Sequence, residues 1–187
     1  MDESKLLLLI ISLLDAGIAA YAGGPTPLPE GLAAQRAFQP RQQGAPVNPA
    51  IVVNHTGSIP RGNARRTSVW DASSSSFVYT YSQRMESTYH FEAIVPQSPE
   101  DYTAMTEADV LNVARFIVQN DTAISTLLAA PGRVSLLRVT KMDSNYIEDD
   151  KDQNENVPFF EVTFQYRWSV VSSAPAVESF TTSLHRE

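Results

Sequence analysis

The stretch Pro158–Val171, PFFEVTFQYRWSVV, decides the fold. Phe160, Val162, Phe164, Tyr166, Trp168 and Val170 alternate with Glu161, Thr163, Gln165, Arg167 and Ser169. A repeat of two is the side-chain period of a strand, and apolar–polar alternation puts one face on a core and the other in water. This is the pattern of a half-buried antiparallel strand. It recurs upstream within a strand-rich stretch from Phe77 to Val95. There Tyr89, Phe91, Ala93 and Val95 face one way and His90 and Glu92 the other. A strand or hairpin of that length is long enough to stand out from a domain. The serine run Ser73–Ser76 predicts an exposed turn just before it.

Working outward, helices flank these strands. Leu6, Leu7, Ile10, Leu14, Ile18 and Tyr21 fall at helical spacing within 2–21, and Gly23-Gly24-Pro25 stops the run. The core of this segment, LLLLIISLL, is far shorter than the ~20 residues that span a bilayer. Asp2 and Glu3 precede it where a signal peptide carries positive charge, and both suit the positive end of a helix dipole. A second helix is predicted after Thr106 as N-cap, with Val110, Leu111, Ala114, Ile117 and Val118 as its apolar stripe. A third, capped by Asp121, runs to Ala130 before Pro131-Gly132. Ala50–Asn54 and Arg133–Met142 read as strands, and a short strand is expected around 177–183. Gly57–Arg66 reads as a polar loop and 143–156 as an acidic loop. Six prolines between Gly24 and Pro49 forbid a continuous helix there, so 24–49 reads as an extended arm. The element order predicts one α+β domain over 1–187, a mostly antiparallel sheet with helices packed on one face.

Composition narrows the chemistry. The chain has no cysteine, which removes disulfides, thiolate zinc sites and a cysteine nucleophile. Its formal charge is −7, so gripping duplex phosphate is disfavoured. An acidic ring around a DNA passage is a different case, because repulsion keeps a moving duplex from sticking. Phosphate-loop, dinucleotide, HExxH and GxSxG motifs are all missing. The histidines, His55, His90 and His185, are far apart in sequence and favour no catalytic arrangement. Asp150, Asp152, Asn154 and Glu161 match positions 1, 3, 5 and 12 of a calcium loop, but Glu155 stands where the turn needs glycine. A solvated acidic turn is the better reading. The expectation is therefore no catalytic, cofactor or metal site. Arg61, Arg65 and Arg66 form the main basic cluster, with Arg36 and Arg41 upstream. Pairing between subunits, arginines against the acidic 148–152 loop, is favoured over DNA contact.

Several stretches taken in order resemble a known family. They are AFQPRQQG at 37–44, the strand and helix from Tyr89 to Val118, NYIEDDKD at 145–152, and the aromatic strand from Pro158 with His185-Arg186 beyond it. Together they resemble the neck and tail terminator, or gateway, proteins of tailed bacteriophages, over about residues 4–186. The resemblance implies a non-enzymatic α+β protomer of a homohexameric ring in the virion, assembled in the host cytoplasm. Such a ring joins the tail tube or sheath to the head-side connector, with DNA passing through the lumen and no membrane contact. Neighbouring alternatives are a head–tail adaptor, a tail-completion protein or a tube subunit. A small hydrolase or a monomeric binding module would be a different class. Candidate inter-subunit contacts are the N-terminal helix and Arg36, Phe38, Gln39, Arg41, Arg61, Arg65, Arg66, Tyr146, Glu148, Asp149, Asp150 and Asp152.

Overall fold

The computed structural model describes residues 1–21, 27–36, 49–95, 104–148 and 154–175. Helix α1 (Glu3–Ala20) opens where the sequence placed it, with the Asp2 carboxylate accepting the Lys5 N–H at 2.8 Å. Its Leu6, Leu7, Ile10 and Leu14 face the core. Helix α2 (Glu107–Gln119) starts with a reciprocal cap: Asp109 N–H donates to Thr106 Oγ1, and the Asp109 carboxylate accepts from Thr106 N–H. The Thr106 hydroxyl, which donates to the same carboxylate at 2.7 Å, and then the Thr106 N–H hold the Asp109 carboxyl below the usual aspartate range. Helix α3 (Asp121–Ala129) is capped by Asn120 rather than by Asp121, because the Asn120 side chain accepts the Ala123 N–H at 2.7 Å. Asp121 instead lies in the first turn, where its charge meets the helix dipole.

Six strands form one sheet in the order β1-β2-β3-β6-β4, with β5 also on β6. They are β1 (Ala33–Arg36), β2 (Ala50–Asp71), β3 (Ser76–Ile94), β4 (Ser135–Val139), β5 (Asp143–Glu148) and β6 (Asn154–Pro175). All pairings are antiparallel except β1 with β2. The helices cover one face of the sheet. Phe91 stacks on Phe160 at 4.8 Å beneath them, and Tyr89 meets Phe164 edge-on at 5.9 Å. Burying rings of this size stabilises by roughly 1.5–3 kcal/mol each.

Four sequence expectations change. Gly57–Arg66 is not a loop but the middle of β2, which absorbs its awkward residues in register shifts after His55 and after Arg61. Gly62 takes the positive φ of 68° that the second shift needs. The acidic loop 143–156 is mostly a hairpin, since β5 pairs with the start of β6 from Asp143–Phe159 to Glu148–Asn154. Its tip, 149–153, lies outside the described residues, as does the strand expected at 177–183. Within the arm at 24–49, β1 is a sheet strand. Leu32 and Ala34 are buried, and the Ala34 N–H donates to Asp15 at 2.8 Å. Finally, β4 is shorter than Arg133–Met142, because Gly132 and Arg133 both take positive φ in the turn after α3.

Helices α1 and α2 cross closely at Gly17. A Cβ there would run into the branched side chain of Ile117, which is buried. Elsewhere in a helix, glycine to alanine gains about 1 kcal/mol. Here Gly17→Ala is expected to destabilise by about 1–3 kcal/mol through overpacking. Chemical denaturation should show part of that loss recovered in the Gly17→Ala/Ile117→Ala double variant. Simple additivity of the two losses would contradict this packing.

Candidate assembly surface

The helices cover only half of the sheet. Burial along β3 begins in earnest at Ser87, along β6 it ends at Tyr166, and along β2 it ends at Val53. Beyond those points β2, β3 and β6 continue as a three-stranded ribbon. From Ser87 to the tip at Ser76 this is roughly 35 Å of strand. Between β3 and β6, and past Arg65 in β2, its register is regular: Arg66 lies opposite Tyr81, and Tyr81 opposite Val170; Trp70 lies opposite Phe77, and Phe77 opposite Ala174.

Alternation gives the ribbon two unlike faces. The face continuous with the core carries Trp70, Phe77, Tyr79, Tyr81, Trp168 and Val170. Trp70 meets Phe77 edge-on at 4.9 Å, and the Arg66 guanidinium sits 4.1 Å from the Tyr79 ring centre. Trp168 remains 40% exposed, so the alternation in PFFEVTFQYRWSVV holds to its end while its burial stops at Tyr166. The opposite face carries Arg61, Arg65, Thr67, Thr80, Ser82, Arg84, Arg167 and Ser169, with Ile59, Val69, Val78 and Val171 among them. Over 56–88 and 165–175 there are five arginines against two carboxylates, Asp71 and Glu86, in a chain whose net charge is −7.

The arginine cluster is therefore a property of the ribbon. Arg61 pairs with Glu86 of the same chain at 2.8 Å, Arg65 is exposed opposite Ser82, and Arg66 stacks on β3. The aromatic interleaving missing from the local sequence comes from the strand across. Arg36 is exposed at the end of β1. Tyr146 and Glu148 lie in β5, far along the sheet from the ribbon tip. Phe38, Gln39, Arg41, Asp149, Asp150 and Asp152 lie outside the described residues.

At the root of the ribbon is a polar network that the sequence did not announce. His55 Nε2 is 2.9 Å from Ser58 Oγ, Ser58 touches Ser87, and Ser87 donates to the Tyr166 hydroxyl at 3.3 Å. Glu3 lies 3.9 Å from that same Nε2. A catalytic triad needs the acid on the other ring nitrogen, Nδ1. Burial pushes the neighbouring Tyr89 phenol well above its ordinary value, and its hydroxyl donates to the Glu3 carbonyl. On the opposite face His90 Nε2 is 2.8 Å from Glu92, and this bond holds the Glu92 carboxyl low. Among the described residues no group of three or more metal-ligating side chains is placed to hold an ion. The calcium-loop alignment also fails geometrically. Asn154 and Glu161 sit on one extended strand, about 24 Å apart at the usual rise. No helix among the described residues is long and apolar enough to cross a membrane.

The chain has an α+β fold of the kind found in a tail terminator. It resembles the sheath/tube terminator of an extracellular contractile injection system, PVC, in its extended state. The TM-score is 0.52 at 10% sequence identity, covering 96% of this chain and 63% of that one. The chain thus spans less than two thirds of the length of that structure. No curated protein matches it. A family model described as "E217 gateway protein gp29" matches residues 5–176, and the chain belongs to that phage gateway family.

The ribbon tip carries its own electrostatic clasp. The Asp71 carboxylate accepts from Ser73 N–H at 3.0 Å and from the Ser73 and Ser74 hydroxyls at 2.7 Å each. The two serine hydroxyl bonds, first Ser73 and then Ser74, lower its pKa most. A carboxylate whose folded pKa is lowered stabilises above its ordinary value, and that contribution is lost as pH falls through the folded value. The turn is therefore expected to loosen below about pH 4. A falling protection factor at the Ser73 amide on acidification, absent in Asp71→Asn, would show it. A protection factor that does not change with pH in the native chain would contradict it.

Proposed function

We propose that this protein is the terminator ring subunit of a phage neck. Identical copies, six by the family resemblance, close into a ring between the tail tube or sheath and the head-side connector. DNA passes through its opening. The protein is then a virion component whose work is geometric. The observation that carries this reading is the ribbon: three strands with a large aromatic face that the described residues leave uncovered. A lone domain gains nothing from such an extension, whereas a subunit uses it to reach its neighbours.

The polar face of the ribbon suits the passage. Arg61 lies opposite Arg84, and Arg84 opposite Arg167, so three arginines form a row across the strands. Like charges directly opposite in a sheet are destabilising. Glu86 offsets part of this through Arg61. A polyanion moving past offsets the rest, without reading sequence. This reading replaces uniform acidic repulsion at the opening: the acidic surplus belongs to the rest of the chain. The segments at 36–44 and 145–152, including Phe38, Gln39, Arg41, Asp149, Asp150 and Asp152, remain proposed contacts between copies.

The misplaced acid at His55–Ser58 favours a structural role for that network over hydrolysis. Particles completed with His55→Ala protein are expected to be as infectious as native ones. Lost infectivity with an intact fold would favour chemistry at this histidine. Native mass spectrometry and negative-stain imaging of the purified protein should show closed rings of fixed copy number that do not stack. Open filaments would instead mark a tube subunit, and a stable monomer at micromolar concentration would contradict the ring.

A further inference from the structure

We infer that the ribbon joins copies of this chain edge to edge, the β6 edge of one protomer adding to the β2 edge of the next as parallel strands. This rests on the ring reading and gives it a contact. Among the described residues both outer strands of the ribbon are open. β1 pairs with β2 only over Ala50–Val53, and β4 pairs with β6 only over Val162–Gln165. The last outward backbone bond along β6 is Arg167 N–H to the Gly132 carbonyl at 2.8 Å. Glu161 also turns its carbonyl outward, to Thr140 N–H, and Gln165 turns its own to Ser135 Oγ. The ladder from β3 to β6 has no register shift. Alternation therefore points the backbone groups of Ser169, Val171 and Ser173 away from β3 as well.

The two edges differ in how they are guarded. Near the root, β2 carries Pro60 and the shift after Arg61, both devices that blunt an edge against another strand. Past the shift, Arg65–Asp71 is regular. On the other side Trp168–Ala174, WSVVSSA, has no proline, no charge and no bulge. An unguarded edge of that composition pairs with something. It also sets no like charge beside Arg65 and Arg66. The two segments are equal in length and end at the same tip. Both run from root to tip, because each is antiparallel to β3. Copies related by rotation about one axis, ribbons alongside, bring β6 of one next to β2 of the following copy in parallel. A two-fold pair would join like edges; joining unlike edges repeats and closes only as a ring.

The test removes outward N–H groups. Ser169→Pro/Val171→Pro deletes two donors that β3 does not use, and proline is tolerated on an edge. Val171→Thr is the control that keeps the donor. The proline variant is expected to stay folded by circular dichroism while its assembly requires at least a tenfold higher concentration; the threonine variant should assemble as the native chain does. Rings from the proline variant at native concentration would overturn edge pairing and leave the ring reading standing. Hydrogen exchange on the native chain gives a second readout that needs no variant. Residues 169–173 should be exchange-protected in the assembly and open in the dilute monomer. Protection already in the monomer, lost on deleting 176–187, would assign the edge to the chain's own terminus and overturn the proposal. A native chain that never assembles would sink the ring reading and this contact together.

Discussion

The antiparallel ladder between β3 and β6 runs unbroken from Ser76–Pro175 to Glu92–Phe159, and the rest of the molecule depends on it. Its inner half is clad by α1 and α2 and holds the stacked Phe91–Phe160 pair. Its outer half has the same alternation and, among the described residues, no cladding. One continuous pair of strands thus belongs to two environments. The body is a conventional α+β core, whereas the ribbon is an apolar face and a polar face without a layer over either. Backbone continuity carries the strand alignment of the core out to a surface far from it.

Charge follows the same division. The acidic surplus lies outside the ribbon, which is itself rich in arginine. On the polar face the arginines stand in a row across three strands, and on the aromatic face Arg66 is held over Tyr79. The tip is closed by Asp71 with its serine donors, and the root is tied by the chain from His55 to Tyr166. Polar bonds thus tie the ribbon at both ends, while packing by helices is missing along it among the described residues.

The fold was largely legible because its strongest signals are periodic. The strand at 158–171, the stripe of α2 and the leucine run of α1 each declared their faces, and each core-side residue of the β6 pattern up to Tyr166 is buried. Alternation states which face a side chain takes but not whether anything covers it, so the exposure of Trp168 and Val170 was not readable. The reading of Gly57–Arg66 as a loop failed for a related reason. Glycine, proline and arginine depress strand propensity locally, and pairing with β3 overrides it. The arginines at 61, 65 and 66 are neighbours in sequence, but strand alternation puts Arg61 and Arg65 on one face and Arg66 on the other, where its aromatic partners come from another strand. His55 and Ser58 are three residues apart, but Glu3, Ser87 and Tyr166 reach them from distant parts of the chain and left no local mark. Family membership came from the ordered set of segments, and a model matching 5–176 supports it.

A cryo-EM reconstruction of the purified assembly tests the central claim most directly. The account predicts β2–β3–β6 ribbons lying side by side around a central opening, with the arginine row facing the opening and the helices outside. Ribbons projecting separately into solvent, with copies joined only through α1 and α2, would contradict it.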